Sequence, residues 1–169
     1  MIVAETMVAQ HISFGVIAAV VVIGALRVVT TNNVVHAALW LVAVLAGAGA
    51  SFLLLGAEFV GITQILVYIG AIVVLFLFGI MLTRAPIGAE VRLSNTNWIG
   101  GIVVAIAIAG VLGYTLMDAY GTDKLPDTSP QTTAAVSDSI FSTYLVPFEV
   151  VSVLLLAALI GAIVLARKE

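Results

Sequence analysis

Apolar residues fall into five long blocks along the chain, separated by short polar stretches. Each block can cross a bilayer core, which requires about 20 residues in helical form. The pattern therefore predicts an all-α integral membrane protein, a single membrane domain over residues 1–169 with a polar loop over 118–145. The five predicted transmembrane helices cover about 12–28, 34–55, 58–83, 98–117 and 146–166.

The third predicted helix, from Glu58 to Thr83, is unusually long. As a straight α-helix it would measure roughly 39 Å, whereas a bilayer core is about 30 Å thick, so it must tilt, bulge or project. At about 100° per residue it has a stripe expected to face protein and an aliphatic stripe expected to face lipid. The first comprises Gly61, Gln64, Tyr68, Ile72, Leu75 and Gly79, and the second Ile62, Leu66, Ile69, Val73, Leu77 and Ile80.

Candidate chemistry lies near the middle of this helix. Tyr68 is roughly 15 Å deeper than Glu58 by helical rise, and its phenol needs a hydrogen-bond partner because hydrocarbon offers none. Gln64 is one α-helical turn away. These two groups could bind or order water, or could simply hold helices together. Gly70 lets the backbone rearrange, so we expect a π-bulge here, a feature that often occurs at functional sites.

Composition places the protein in a membrane. Hydrophobic residues make up 63% of the chain and charged residues 9%, whereas soluble domains carry about 25% charged residues. The lipid bilayer is therefore one partner, and the absence of a basic patch excludes nucleic acid. The chain has no cysteine, which excludes thiolate metal sites and cysteine-ligated iron–sulfur clusters. His11 and His36 open different helices on opposite sides of the membrane, so they cannot share a haem iron.

Charge distribution predicts the orientation. Lys124 borders one side of the membrane, and five basic residues border the other: Arg27, Arg84, Arg92, Arg167 and Lys168. The positive-inside rule then places the C-terminus in the cytoplasm and the N-terminus and the 118–145 loop outside. The first ten residues lack the basic region of a secretory signal, so we expect the first apolar run to be retained as a helix.

Two carboxylates border the membrane near its outer face, Glu58 and Glu149. Intramembrane carboxylates are functional candidates, but a glutamate in a first helical turn also gains from the helix dipole, so both readings stay open. No ionisable group lies at mid-depth, so this chain cannot by itself be a complete proton wire. That disfavours a small stand-alone transporter or channel. A run of small residues over 46–51 is suited to close helix contact.

Three segments carry a family resemblance. Residues 64–76, QILVYIGAIVVLF, resemble the third-helix signature of subunit J of bacterial NADH:quinone oxidoreductase, respiratory complex I, the counterpart of mitochondrial subunit 6. Residues 32–39, NNVVHAAL, resemble the opening of that family's second helix, with Val34 where proline is usual. Residues 147–166 resemble its last helix. The likeness covers nearly the whole chain and is least distinctive over 85–145.

The resemblance implies a non-redox membrane subunit of a proton-pumping enzyme. Electrons would pass from NADH through FMN and iron–sulfur clusters in other subunits to a membrane quinone, and this chain would hold no cofactor and no catalytic site. It would lie in the bacterial plasma membrane, packed against subunits A, H, K and N.

In that family the third helix changes between a π-bulged and a straight α form near the matching tyrosine, and so gates a water path toward carboxylates of neighbouring subunits. Carried over to this chain, Tyr68 and Gly70 would form the pivot, with Gln64 and Ala71 beside it. The alternative is a scaffold subunit that only fills space between pumping modules.

Overall fold

The computed structural model describes residues 2–82, 97–121, 130 and 132–167. Within these ranges, five helices are long and apolar enough to cross a membrane, which confirms the predicted fold class. Thr83, the predicted end of the third helix, lies outside the described residues. So do four of the basic residues used to predict the orientation: Arg84, Arg92, Lys124 and Lys168.

The helices differ from the predicted ones mainly at their ends. α1 begins ten residues before the predicted start, because residues 2–11 contain good helix formers and neither glycine nor proline. α4 likewise continues three residues beyond the predicted end at 117. The bounds are α1 Ile2–Thr30, α2 Val34–Leu54, α3 Glu58–Leu82, α4 Trp98–Tyr120, α5 Thr133–Phe141 and α6 Leu145–Ala166.

α2 begins at a well-formed cap. The side-chain oxygen of Asn33 accepts hydrogen bonds from the backbone N–H groups of Val35 at 2.9 Å and His36 at 3.2 Å. An asparagine in this position satisfies donors that the first helical turn cannot pair internally. The cap fixes the start of α2 at Val34 although proline is absent there.

A tight turn joins α2 to α3. Gly56 has φ +75°, a left-handed conformation that favours glycine. Its N–H donates to the Leu53 carbonyl and the Ala57 N–H to the Phe52 carbonyl, which is the Schellman arrangement that ends many helices. α3 therefore returns directly along α2.

Buried glycines set the close approach of α2 to its neighbours. A Cβ at Gly24 of α1 would lie 2.9 Å from Val44 Cγ2, and one at Gly47 of α2 would collide with Val21 of α1. A Cβ at Gly61 of α3 would lie 3.3 Å from the Gly49 carbonyl oxygen. α2 thus packs on α1 with one face and on α3 with another, whereas α4 contacts none of these helices in the described part of the chain.

α3 changes its winding along its length. An α segment, Glu58–Thr63, is followed by a π segment, Gln64–Val73, and then by a second α segment, Val74–Leu82. The expected π-bulge is confirmed, and at ten residues it is longer than a single-turn bulge.

The lipid-facing stripe predicted for α3 agrees with the structure at Ile62 and Leu66, which are exposed, and is wrong from Ile69 onward. Gly61 is buried and Gln64 half-buried, as expected of the first stripe. Beyond Gln64, however, the chain buries residues of the supposed lipid-facing stripe: Ile69, Val73, Leu77 and Ile80 are buried or half-buried. The cause is the i→i+5 winding, whose hydrogen bonds span one residue more than those of the α-helix that the 100° periodicity assumes, so that each turn contains more residues.

Residues 132–167 form a separate compact unit. Part of the predicted 118–145 loop forms the helix α5. Thr132 accepts a hydrogen bond from the Ala135 N–H at 3.3 Å and so caps the start of this helix. Phe141 of α5 meets Phe148 of α6 edge-to-face, with ring centroids 5.2 Å apart. Residues 122–129 of that loop lie outside the described ranges.

Candidate functional site

The junction between the α and π segments of α3 has a loosened hydrogen-bond ladder. The backbone N–H of Gln64 is shared between the carbonyls of Gly61 and Val60. The Thr63 hydroxyl donates to the carbonyl of Val60 at 2.9 Å and to that of Phe59 at 3.0 Å. Side-chain bonds of this type compete with the regular ladder and often bend helices. The change from α to π winding therefore begins where one backbone N–H is shared between two carbonyls.

Gln64 lies at the contact between α2 and α3. A Cβ at Gly49 would be 3.5 Å from Gln64 Cγ and 3.3 Å from Ile65 Cγ1. Gln64 is half-buried, so its aliphatic part packs on α2.

Tyr68 is exposed, with 48% of its surface accessible in this chain. Gln64 and Tyr68 would share one α-helical face at i, i+4, but the π winding turns the phenol outward while Gln64 stays against α2. The structure therefore does not bring these two polar groups together on one buried face. The phenol is therefore accessible to whatever surrounds the chain in the membrane.

Gly70 and Ala71 are also exposed. A Cβ at Gly70 would lie 3.6 Å from the Ile65 carbonyl oxygen, an ordinary van der Waals distance. Among the described residues, steric space alone therefore does not require glycine at this position. What glycine provides here is backbone freedom in the middle of a π segment.

The two candidate carboxylates lie at helix beginnings and not beside Tyr68. Glu58 is the first residue of α3 and is exposed. Glu149 is in the second turn of α6 and is exposed as well. In the ranges that the structure describes, no three His, Cys, Asp or Glu side chains gather into a metal site.

Sequence reasoning missed the buried side of the π segment. Val73 is only 3% exposed, the lowest exposure of any large side chain among the described residues. Nothing in a 3.6-residue periodicity marks it, since that periodicity assigns it to lipid. The contact at Gly49 was signalled by the small-residue run over 46–51.

Comparisons with known proteins agree with one another. The family model described as NADH-ubiquinone/plastoquinone oxidoreductase chain 6 matches residues 24–165. The chain is 38% identical to F(420)H(2) dehydrogenase subunit J of Methanosarcina mazei, over 92% of this chain and 90% of that protein. It is 36% identical to NAD(P)H-quinone oxidoreductase chain 6 of Synechocystis, covering 95% and 82%. It is also 36% identical to NADH-quinone oxidoreductase subunit J of Rhodobacter capsulatus, covering 93% and 81%.

Proposed function

This chain belongs to the family of NADH-ubiquinone/plastoquinone oxidoreductase chain 6, and from that premise we propose that its α3 gates a water path between quinone reduction and proton translocation. The resemblance to subunit J noted in the sequence is confirmed by the family match and by the relatives. The chain is a multi-pass membrane subunit of the bacterial plasma membrane. The gating role goes beyond this family membership and is our proposal.

The π segment is the observation that carries the proposal. In the π winding, Ile69 and Val73 lie against the chain's own helices and Tyr68 lies outside. In a straight α winding that kept Gln64 in place, Tyr68 would lie about 40° from it and Val73 about 180° away. The change would exchange the side chain that faces α2: the phenol would turn toward α2, and Val73, about 7.5 Å further along the helix, would turn away from it. Such an exchange replaces a dry barrier with a group that can order water.

The second half of α3 is the part free to move. The first half is held by the Gly49–Gly61 contact and by the tight turn at Gly56. In the final α segment, by contrast, most side chains are exposed, so rotating it would disrupt few contacts within the chain. A register shift would therefore leave the start of α3 fixed and turn its end.

The protons themselves would be carried by neighbours. No Asp, Glu, His, Lys or Arg side chain lies in the middle of α3, so the chain would admit or refuse water beside titratable groups of other subunits. In this proposal those neighbours are subunits A, H, K and N, and other subunits hold FMN, the iron–sulfur clusters and quinone. The N-terminus lies outside and the C-terminus in the cytoplasm. Mass spectrometry of proteins that co-purify in mild detergent tests the partner set.

The second candidate function is a scaffold subunit of the same membrane arm. It is favoured by α4, whose described side chains are all exposed and whose glycines have nothing of this chain's described residues within 4 Å. A helix of this kind must be covered by lipid or by other subunits. A pure scaffold would need α3 to be stable in one winding only.

A pair of glycine variants separates the gate from the scaffold. Gly70→Leu restricts the backbone inside the π segment, and Gly79→Leu does the same in the following α segment, where a Cβ meets no described atom within 4 Å. In the assembled enzyme in vesicles, Gly70→Leu should lower proton uptake per quinone reduced, and Gly79→Leu should leave it near the unmodified value. Equal proton uptake per quinone in both variants would favour the scaffold.

A further inference from the structure

Gly49 of α2 lies directly against the start of the π segment. A Cβ there would be 3.3 Å from Ile65 Cγ1 and 3.5 Å from Gln64 Cγ, and these are the first two residues with π winding. Gly49 is buried. No other glycine of α2 has such a contact among the described residues, because Gly47 faces Val21 and Ile17 of α1.

α2 also contacts the α segment of α3, about one turn before Gln64, at Gly61. A Cβ at Gly61 would lie 2.7 Å from Leu53 Cδ2 and 3.3 Å from the Gly49 carbonyl oxygen. The two backbones therefore touch at Gly49 and Gly61, and side-chain contact continues to Ile65. α2 therefore contacts α3 from Gly61 to Ile65.

We propose that Gly49 is a positioning residue for the gate: its contact with Gln64 and Ile65 sets the point at which α3 passes from α to π winding. The inference rests on the gating function proposed above. An isolated helix favours α winding and π turns are rare, so contacts with a neighbouring helix must hold the altered register. α2 supplies such a contact where the register begins to change.

Ile65 connects this contact to Gly70, which belongs to the proposed pivot. Its side chain meets Gly49, and its carbonyl oxygen lies 3.6 Å from the position of a Cβ at Gly70. A methyl group at Gly49 would force Ile65 to give way by a few tenths of an ångström. Since Ile65 also carries a carbonyl oxygen that lies against Gly70, a displacement of Ile65 would reach the middle of the π segment.

Gly49→Ala tests the proposal against Gly47→Ala, two residues earlier on the same helix. Both add one methyl at a buried position, but the methyl at Gly47 presses on α1 and the one at Gly49 on the π segment. In electron cryo-microscopy maps of the assembled enzyme, Gly49→Ala should change the ratio of π to α windings by about fivefold or more, the size expected of an overpacked methyl. Gly47→Ala, whose methyl collides with Val21 and should lower assembly, should leave that ratio unchanged in the enzyme that does assemble.

Proton uptake per quinone reduced is measured on the same preparations in vesicles. An altered winding with reduced coupling supports both the inference and the gate. An altered winding with unchanged coupling supports the role of Gly49 and overturns the gate. An unaltered winding in Gly49→Ala overturns the role of Gly49, whatever the coupling.

A second variant keeps the test decisive if Gly49→Ala fails to assemble. Ile65→Ala removes the Cγ1 that the new methyl would meet, so Gly49→Ala combined with Ile65→Ala should assemble and recover the original winding ratio. Ile65→Ala alone should shift the ratio, because it loosens the same contact from the other side. Original winding in the Ile65→Ala enzyme would overturn the proposal.

Discussion

Val73 and Tyr68 have exchanged the positions that a regular helix would give them: Val73 is 3% exposed and Tyr68 is 48% exposed. In an α-helix continuing from Gln64, the phenol would be turned inward and the valine outward. The ten-residue π segment between α segments reverses this. The proposed gate is the rotation of these two side chains, which lie about 7.5 Å apart along α3, one toward α2 and the other away from it.

Val73 should act as part of the dry barrier. Val73→Thr replaces one buried methyl group by a hydroxyl of similar size. The hydroxyl can hydrogen-bond water, which lowers the free-energy cost of placing water there. We expect vesicles containing the variant enzyme to lose an imposed proton gradient faster than vesicles with the unmodified enzyme. Val74→Thr, at a position that is 53% exposed, is the matched control and should not accelerate the loss. Equal leak rates for the two variants would count against the barrier.

Gly61 should be required for the approach of α3 to α2. Gly61→Ala places a methyl 2.7 Å from Leu53 Cδ2, so the two helices must separate or Leu53 must move. The expected result is less assembled enzyme in native gels and about 1–3 kcal/mol lower stability, the usual range for overpacking.

The rescue of Gly61→Ala should be specific. Adding Leu53→Ala removes the obstructing side chain and should restore assembly. Gly100→Ala, which meets no described atom within 4 Å, should have no effect within this chain. Failure of the double variant to recover would show that the Gly61 contact with Leu53 is not the cause.

Asn33 should stabilise the start of α2 without affecting the gate. Asn33→Ala removes the oxygen that accepts from Val35 and His36, at a cost of about 1 kcal/mol. The midpoint of thermal inactivation should fall, whereas proton uptake per quinone reduced should not change. Asn32→Ala is the control, since Asn32 is exposed and precedes the cap. A similar fall in both variants would contradict the capping role.

The sequence was sufficient for the five spans and for the position of the π segment, because apolar length and a glycine beside Tyr68 are local features. It was not sufficient for the face of α3 beyond Gln64, since a periodicity calculation assumes one winding throughout. α5 was also missed. Its few apolar residues, such as Val136 and Ile140, gave no sign of a helix within a polar loop. The first error concerns helix contacts that only the folded chain supplies, whereas α5 begins at a local cap, Thr132.

The most direct test is electron cryo-microscopy of the assembled enzyme in lipid, at rest and while NADH drives quinone reduction. The account predicts two populations of α3 under turnover, one with the π segment over Gln64–Val73 and one with α winding throughout, Tyr68 turned toward α2 and Val73 turned away. A π segment in the same register in every particle class, at rest and during turnover, would contradict the gate.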